Sequence, residues 1–393
     1  MSAMKRLFQL MAEKKASDIF LSVGSPINIK INGVALPINQ QTMDASTVRG
    51  LLYEVIDDKQ KKEYENTLEL NTAYTLQGVG SFRVSAFRQK GSPAVVVRYI
   101  PSAIPPLDTL GLPPVLKDII LEKRGLILMV GATGSGKSTT LAAMLDFRNG
   151  EKTGHIFTLE DPVEFIFQNK KSIVNQREVG TDTLDMKVGL KNALRQAPDC
   201  ILIGEVRDKE NMTSAIQYAQ SGHLCLATLH ANNSYHAMNR IISFYPLESR
   251  AALLQDLSAT LKCVISQRLV KNVKGTQSAA AEIMLNSRYI AELIEKGEIS
   301  EMKEAMEKAL TPGSQTFEQS LFKMIREGLI TQEEGLSNAD SANNLLWLIN
   351  NTEAGADFAA GKERRSEARP AAALTGSAAF SDFKLDVNQP ERA

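Results

Sequence analysis

The sequence is poor in cysteine, in aromatic residues and in surplus charge, and each shortage removes a class of protein. Three cysteines in 393 residues, Cys200, Cys225 and Cys263, are too few and too widely spaced for a disulfide framework or a zinc site. Set in apolar surroundings, they are expected to be buried core thiols of a reducing compartment. Lysine plus arginine and aspartate plus glutamate each number 45, so the formal charge is zero. No excess of cations is available to neutralise the phosphates of a nucleic acid. No apolar run approaches the roughly 20 residues that cross a bilayer; the strongest, Leu126 to Val130, is short and flanked by glycines. Lys5 and Arg6 precede an apolar stretch that Gln9 breaks and Glu13, Lys14 and Lys15 end, which argues against a cleaved signal peptide. The expectation is a cytosolic protein with no nucleic-acid partner and no direct membrane insertion.

What remains is a chain 43% apolar and 23% charged, long enough for two or three domains. Residues 1–100 read as a small α+β module. Leu7, Leu10, Met11 and Ile19 fall near helical spacing; Ile27, Ile29 and Ile31 alternate with polar residues before Asn32-Gly33, a strand entering a hairpin turn. Further strands are expected around Phe82–Phe87 and Ala94–Ile100. Pro101, Pro105, Pro106, Pro113 and Pro114 then predict a stiff extended linker over 101–115. From 116 to 350, short apolar strands at Leu126–Val130, Ile156–Leu159, Cys200–Ile203 and Leu224–Ala227 alternate with helical stretches, the pattern of a parallel sheet covered by helices. Beyond them helices are expected, one with Leu253, Leu254, Leu257, Leu261, Val264 and Ile265 on its apolar face and another with Phe317, Leu321 and Ile325. Residues 351–393, rich in alanine, read as a disordered tail, with a short partner-binding segment as the alternative.

The chemistry concentrates in one motif. Gly131, Ala132, Thr133, Gly134, Ser135, Gly136, Lys137 and Ser138 complete a GxxxxGK[ST] phosphate loop after a predicted strand, and Thr139 opens the helix beyond it. Glycines let the backbone wrap phosphate oxygens, the helix N-terminus offers unpaired N–H groups, Lys137 bridges the β- and γ-phosphates, and Ser138 supplies a hydroxyl to Mg²⁺. Hydrolysis needs carboxylates as well. The strand Cys200–Ile203 runs through Gly204 into Glu205, which places an acid beside the Mg²⁺ shell; Glu160, Asp161 and Glu164 come after the strand Ile156–Leu159. Two acidic strand ends at one edge repel each other unless a cation lies between them. His223 and His230 bracket the strand Leu224–Ala227, and the pair either orients around the γ-phosphate or is structural.

Together the phosphate loop, the string Thr158 to Phe165, the string Val174 to Glu178, Gly204 to Asp208, and the box from Gly222-His223 to His230 resemble, in order and spacing, the type II/IV secretion ATPase superfamily. Within it the chain is most similar to the type IV pilus retraction ATPases of the PilT/PilU family, over residues 5–345, including Ala16 to Ser22. The stretch Tyr289 to Lys296 stands where PilT carries a helix with two arginines; both are absent here, and the tail is longer, which inclines the resemblance to the PilU branch.

The resemblance implies an α/β fold with a PAS-like N-terminal α+β domain, a RecA-like P-loop NTPase domain and C-terminal helices. It implies an ATP- and Mg²⁺-dependent homo-hexameric motor that retracts type IV pili in twitching motility, as an accessory to a PilT-like ATPase. Such a motor docks on a PilC-like platform protein at the cytoplasmic face of the inner membrane. By position, Glu164 corresponds to the catalytic glutamate that polarises water and Glu205 to the acid that organises Mg²⁺ and its waters. Arg83 and Arg98 match arginines that reach the nucleotide from the N-terminal domain, a role contributing about 10³ to 10⁵ in rate; Arg83 interrupts an apolar alternation from the opposite strand face, where it can project. Competing readings are a pilus or secretion assembly ATPase, whose tetracysteine insert is missing here, a nucleic-acid translocase, and a subunit that binds nucleotide without hydrolysing it.

Overall fold

The Ser2 hydroxyl accepts a hydrogen bond from the Lys5 N–H and so caps α1 (Ala3–Lys14), whose buried stripe is Met4, Phe8 and Met11. This computed structural model describes residues 2–31, 33–101, 103–308 and 311–360. The stripe packs on a wholly antiparallel sheet of β1 (Asp18–Ser22), β2 (Asn28–Ile31), β3 (Val34–Pro37), β4 (Glu69–Leu76), β5 (Gly80–Gln89) and β6 (Ser92–Pro101), in spatial order β3-β2-β1-β6-β5-β4. Helices α2 (Ala45–Tyr53) and α3 (Asp58–Thr67) connect β3 to β4. Alternation along β5 buries Phe82, Val84 and Ala86 and turns Arg83 outward, and the Phe8 and Phe82 rings stack at 4.0 Å. Ile19, expected on the first helix, lies instead on β1. Gly33 turns the chain from β2 into β3 with φ of 84°; the Asn32 half of the expected turn lies outside the described residues.

The proline-rich stretch is less of a spacer than expected. Leu107 is buried, and Ile104, Leu110, Leu112 and Val115 pack against the core under the second sheet, with α4 (Val115–Ile120) coming next. Prolines fix the backbone, but the apolar residues between them find a surface to bury against.

The second sheet contains β7 (Gly125–Val130), β8 (Gly154–Glu160), β9 (Ser172–Glu178), β10 (Cys200–Ile203), β11 (Leu224–Leu229), β12 (Leu261–Lys271) and β13 (Gln277–Leu285), in order β13-β12-β7-β11-β10-β8-β9. All neighbours are parallel except the β12–β13 hairpin. Every residue of β7, β10 and β11 is buried, as parallel strands covered on both faces require. The helices are α5 (Lys137–Glu151), α6 (Met186–Ala193), α7 (Lys209–Gln220), α8 (Ser234–Ser243), α9 (Arg250–Thr260), α10 (Arg288–Lys296), α11 (Met302–Lys308), α12 (Phe317–Arg326), α13 (Gln332–Asn338) and α14 (Ala342–Ala360). Leu126, Leu128 and Val130 face one core while Ile127 and Met129 face the other. All three cysteines are buried and free, and burial pushes the Cys200 thiol up to about 12.

Two expectations change. The apolar face begun by Leu253 and Leu257 on α9 does not continue as helix: Val264 and Ile265 belong to β12, where β-branched side chains fill a sheet interior. The expected tail from Asn351 is helical through its first ten residues, which continue α14; residues 361–393 lie outside the described residues. Among the described residues no helix is long and apolar enough to cross a membrane.

Candidate functional site

Strand order builds the site. The neighbours β7, β11, β10 and β8 are parallel, so their C-terminal ends share one edge of the sheet. In that spatial order, the strands lead into the phosphate loop, His230, Glu205 and the segment Glu160–Glu164. These groups, together with Arg83 from β5, line one cleft of about 290 Å³.

The phosphate loop is shaped by glycines and braced from outside. Gly134 and Gly136 take φ of 79° and 85°, a region open to glycine at little cost, and a Cβ on Gly136 would meet Gln267 Nε2 at 2.7 Å. That Gln267 amide, buried on β12, donates to Ser135 O at 2.9 Å and accepts from Thr140 Oγ1 at 2.7 Å. Gln267 was not legible as a site residue, because a lone amide on a buried strand matches no motif. Lys137 Nζ donates to the carbonyls of Gly131 and Ala132, at 2.8 Å each. Burial holds its ammonium below the usual lysine range, while the nearby carboxylates of Glu205 and Glu164 oppose that shift. Ser135 Oγ is buried without a partner, and α5 starts with no side-chain cap. Orphaned donors, a helix N-terminus and a desolvated ammonium fit polyphosphate. Thr139 lies behind the loop, with Thr140, in a second hollow.

The acids are arranged about a guanidinium. Glu205 Oε2 accepts from Arg207 Nε at 2.8 Å and lies 2.7 Å from its Nη2; Arg207 Nη1 is 3.7 Å from Asp161 Oδ2. The cation that two acidic strand ends demand is thus Arg207, which the sequence displayed two residues after Glu205 without marking a role. The other oxygen of Glu205, Oε1, is 3.3 Å from His230 Nε2, and His230 Nδ1 is 3.3 Å from the Gly131 carbonyl. A Cβ on Gly204 would meet Glu160 Cα at 3.0 Å, so glycine lets the ends of β10 and β8 approach. Glu160 is packed round by protein although it keeps some surface in the cleft; loss of solvation pushes its carboxyl up to about 7, against hydrogen bonds from Thr158 and Gln176.

The structure does not bring every expected residue here. Arg98, directly opposite Arg83 in the β5–β6 register, bonds through Nε to the buried Asp18 carboxylate at 3.0 Å and does not line the cleft. Two cations side by side repel, and Asp18, opposite Arg98 on β1, settles one of them. His223 contacts Ser221 Oγ and the Tyr218 carbonyl at the start of β11, whereas His230 sits just past its end. A strand of this length separates the two histidines by about 20 Å, so they do not act as a pair. For Mg²⁺, Ser138 and Glu205 both line the cleft, and among the described residues no group of three or more His, Cys, Asp or Glu could hold a metal. That donor set fits a cation that keeps waters and binds largely through phosphate oxygens.

The profile of the family described as Type II/IV secretion system protein matches residues 2–336. The chain is 45% identical to the type IV pilus ATPase PilU of Pseudomonas aeruginosa, over 88% of this chain and 91% of that protein. It is 40% identical to the type IV pilus retraction ATPase PilT of the same organism, over 86% of this chain and 98% of that protein. A crystal structure of the pilus retraction motor PilT with bound ADP superposes with a TM-score of 0.82 at 36% identity, covering 88% of this chain and 99% of that one.

Proposed function

Because this chain belongs to the type II/IV secretion system protein family, we propose that it is an ATP-hydrolysing motor powering type IV pilus retraction, an accessory to a PilT-like ATPase. The observation that carries this reading is the convergence of a complete phosphate loop with Glu164, Glu205 and Arg83 on one cleft. Lys137 binds the β- and γ-phosphates, and the loop from Gly131 to Ser138 wraps them, Thr139 lying behind it. Glu164 accepts the proton of the attacking water. Ser138 and, through water, Glu205 would hold Mg²⁺, which would supply positive charge to the phosphate oxygens. Arg83 approaches the same charge from the N-terminal sheet, and His230 steadies Glu205 against the phosphate loop. Arg98, held by Asp18 here, would need to exchange that partner to reach a nucleotide.

A homo-hexamer provides neighbours against which such subunits can move, and a PilC-like platform protein would hold the ring at the cytoplasmic face of the inner membrane. With a formal charge of zero, the chain has no basic surplus to hold it on anionic lipid by itself. The same charge balance disfavours a nucleic-acid translocase. The purified protein is expected to release phosphate from ATP only with Mg²⁺, at a rate single-stranded DNA does not change. Strong stimulation by DNA would favour the translocase, and no turnover at all would favour a subunit that only binds nucleotide.

A further inference from the structure

Two glutamines of the second sheet hold backbone near the cleft with a side-chain amide. Gln176, on β9, donates to the Phe165 carbonyl at 2.7 Å and accepts from the Phe167 N–H at 2.8 Å, beyond the segment Glu160–Glu164. Gln267, on β12, holds the phosphate loop itself. Ser266 pairs with Val130 in the parallel β12–β7 register, so Gln267 stands level with the point where the loop leaves β7. A Cβ on Gly131 would meet the Gln267 carbonyl oxygen at 2.7 Å, and one on Gly136 would meet its Nε2 at the same distance. The backbone of this one residue thus lies against the first glycine of the loop and its side chain against the last.

The direction of the amide is determined by its partners. The Ser135 carbonyl can only accept, so the NH₂ end faces it at 2.9 Å; the Oε1 end then faces Thr140 Oγ1, which donates at 2.7 Å. Gln267 is 2% exposed and Thr140 1%, so water has little access to replace either bond. The Thr140 hydroxyl, one turn into α5, thereby fixes the amide in the orientation the loop needs. A trans peptide is planar, with its C=O and N–H on opposite sides. Holding the Ser135 carbonyl toward Gln267 turns the Gly136 N–H away from it, and Gly136 precedes α5 with no side-chain cap. That N–H is one of the helix-start donors that suit a phosphate. Gln267 itself does not line the cleft that holds Lys137, Glu164 and Glu205.

We propose that Gln267 is a positioning residue for the phosphate loop: its amide sets the Ser135–Gly136 peptide, and so the donors the loop offers to the β- and γ-phosphates, without entering the catalytic cleft. The inference rests on the reading of this loop as the site of ATP hydrolysis. A misplacement of about 1 Å can cost roughly 10²-fold in rate. Gln267→Met keeps the length and bulk of the side chain but neither bond, and should lower kcat/KM for ATP by about that factor. Loop donors bind the phosphates of substrate and product alike, so affinity for ADP with Mg²⁺ should also fall, by about tenfold for one displaced hydrogen bond to a charged group. Thr140→Val removes only the hydroxyl that orients the amide and should lower both quantities by a smaller factor. Thr140→Ser keeps the donor and should recover most of that loss.

The decisive measurement is made on the double variant of Gln267→Met and Thr140→Val. A hydroxyl that acts on the loop only through the amide adds no loss of kcat/KM beyond that of Gln267→Met alone. All values are taken well below each variant's melting transition, where a packing role that only lowers stability would leave them unchanged. Wild-type kcat/KM and ADP affinity in Gln267→Met, or losses that multiply in the double variant, would overturn the inference. If Gln267→Met does not fold, the pair at position 140 carries the test, and equal values for Thr140→Val and Thr140→Ser would overturn it. Wild-type turnover in Lys137→Ala would instead remove the assignment of the loop on which it rests.

Discussion

Replacing Lys137 by alanine is expected to abolish measurable ATP turnover. The ammonium is half-buried, held below its ordinary pKa by lost solvation, and shared between the carbonyls of Gly131 and Ala132 at 2.8 Å each. Those carbonyls are poor partners beside a polyphosphate, so the side chain is poised to exchange them for charged oxygens. Alanine removes a charge-assisted donor from the group that gains negative charge in the transition state. Losing one such preorganised donor costs about 10² to 10³ in rate, and ground-state binding of the triphosphate weakens with it. Phosphate release by the purified variant measures the effect, with the melting temperature as control. Turnover equal to that of the unaltered protein would mean that the phosphate loop is not where ATP is hydrolysed.

Glu164→Gln should separate binding from chemistry. The amide preserves size and hydrogen-bonding shape but cannot take a proton from water near neutral pH. A lost general base lowers the rate by about 10² to 10⁴, while the contacts made by Lys137, Ser135 and the N-terminus of α5 are untouched. The variant should therefore bind ATP with unchanged affinity and keep it unhydrolysed, a loss confined to kcat. A full rate would assign the base elsewhere in the cleft, with Glu160, Asp161 and Glu205 the carboxylates left to test.

Sequence showed the phosphate loop plainly because its parts are contiguous: strand, glycines, Lys137, Ser138 and helix fall within one short window. Glu205 and Glu164 were legible for a related reason, each lying just beyond a short apolar strand. Arg207 stood in view yet carried no assignment, since only the pairing of β10 with β8 makes a guanidinium beside Glu205 reach Asp161. Gln267 and Gln176 were hidden for the same cause: an amide becomes a brace only once distant backbone comes within its reach. The two histidines read as a pair because sequence distance across a strand conceals its length. β12 reads as helix because Leu253, Leu257, Leu261 and Val264 keep helical spacing across the end of α9, and a strand buried on both faces shows no alternation to correct the reading.

The central claim is that hydrolysis in this cleft drives pilus retraction, and its most direct test is made in cells with fluorescently labelled pili. Retraction events and their force are recorded with the native protein, with its gene deleted, and with Lys137→Ala in its place, a PilT-like ATPase being present throughout. The expected result is fewer or weaker retractions in both altered strains, to a similar degree. Retraction in the Lys137→Ala strain that matches the native strain while the deletion is impaired would contradict the claim, because the chain would then serve the pilus without hydrolysing ATP.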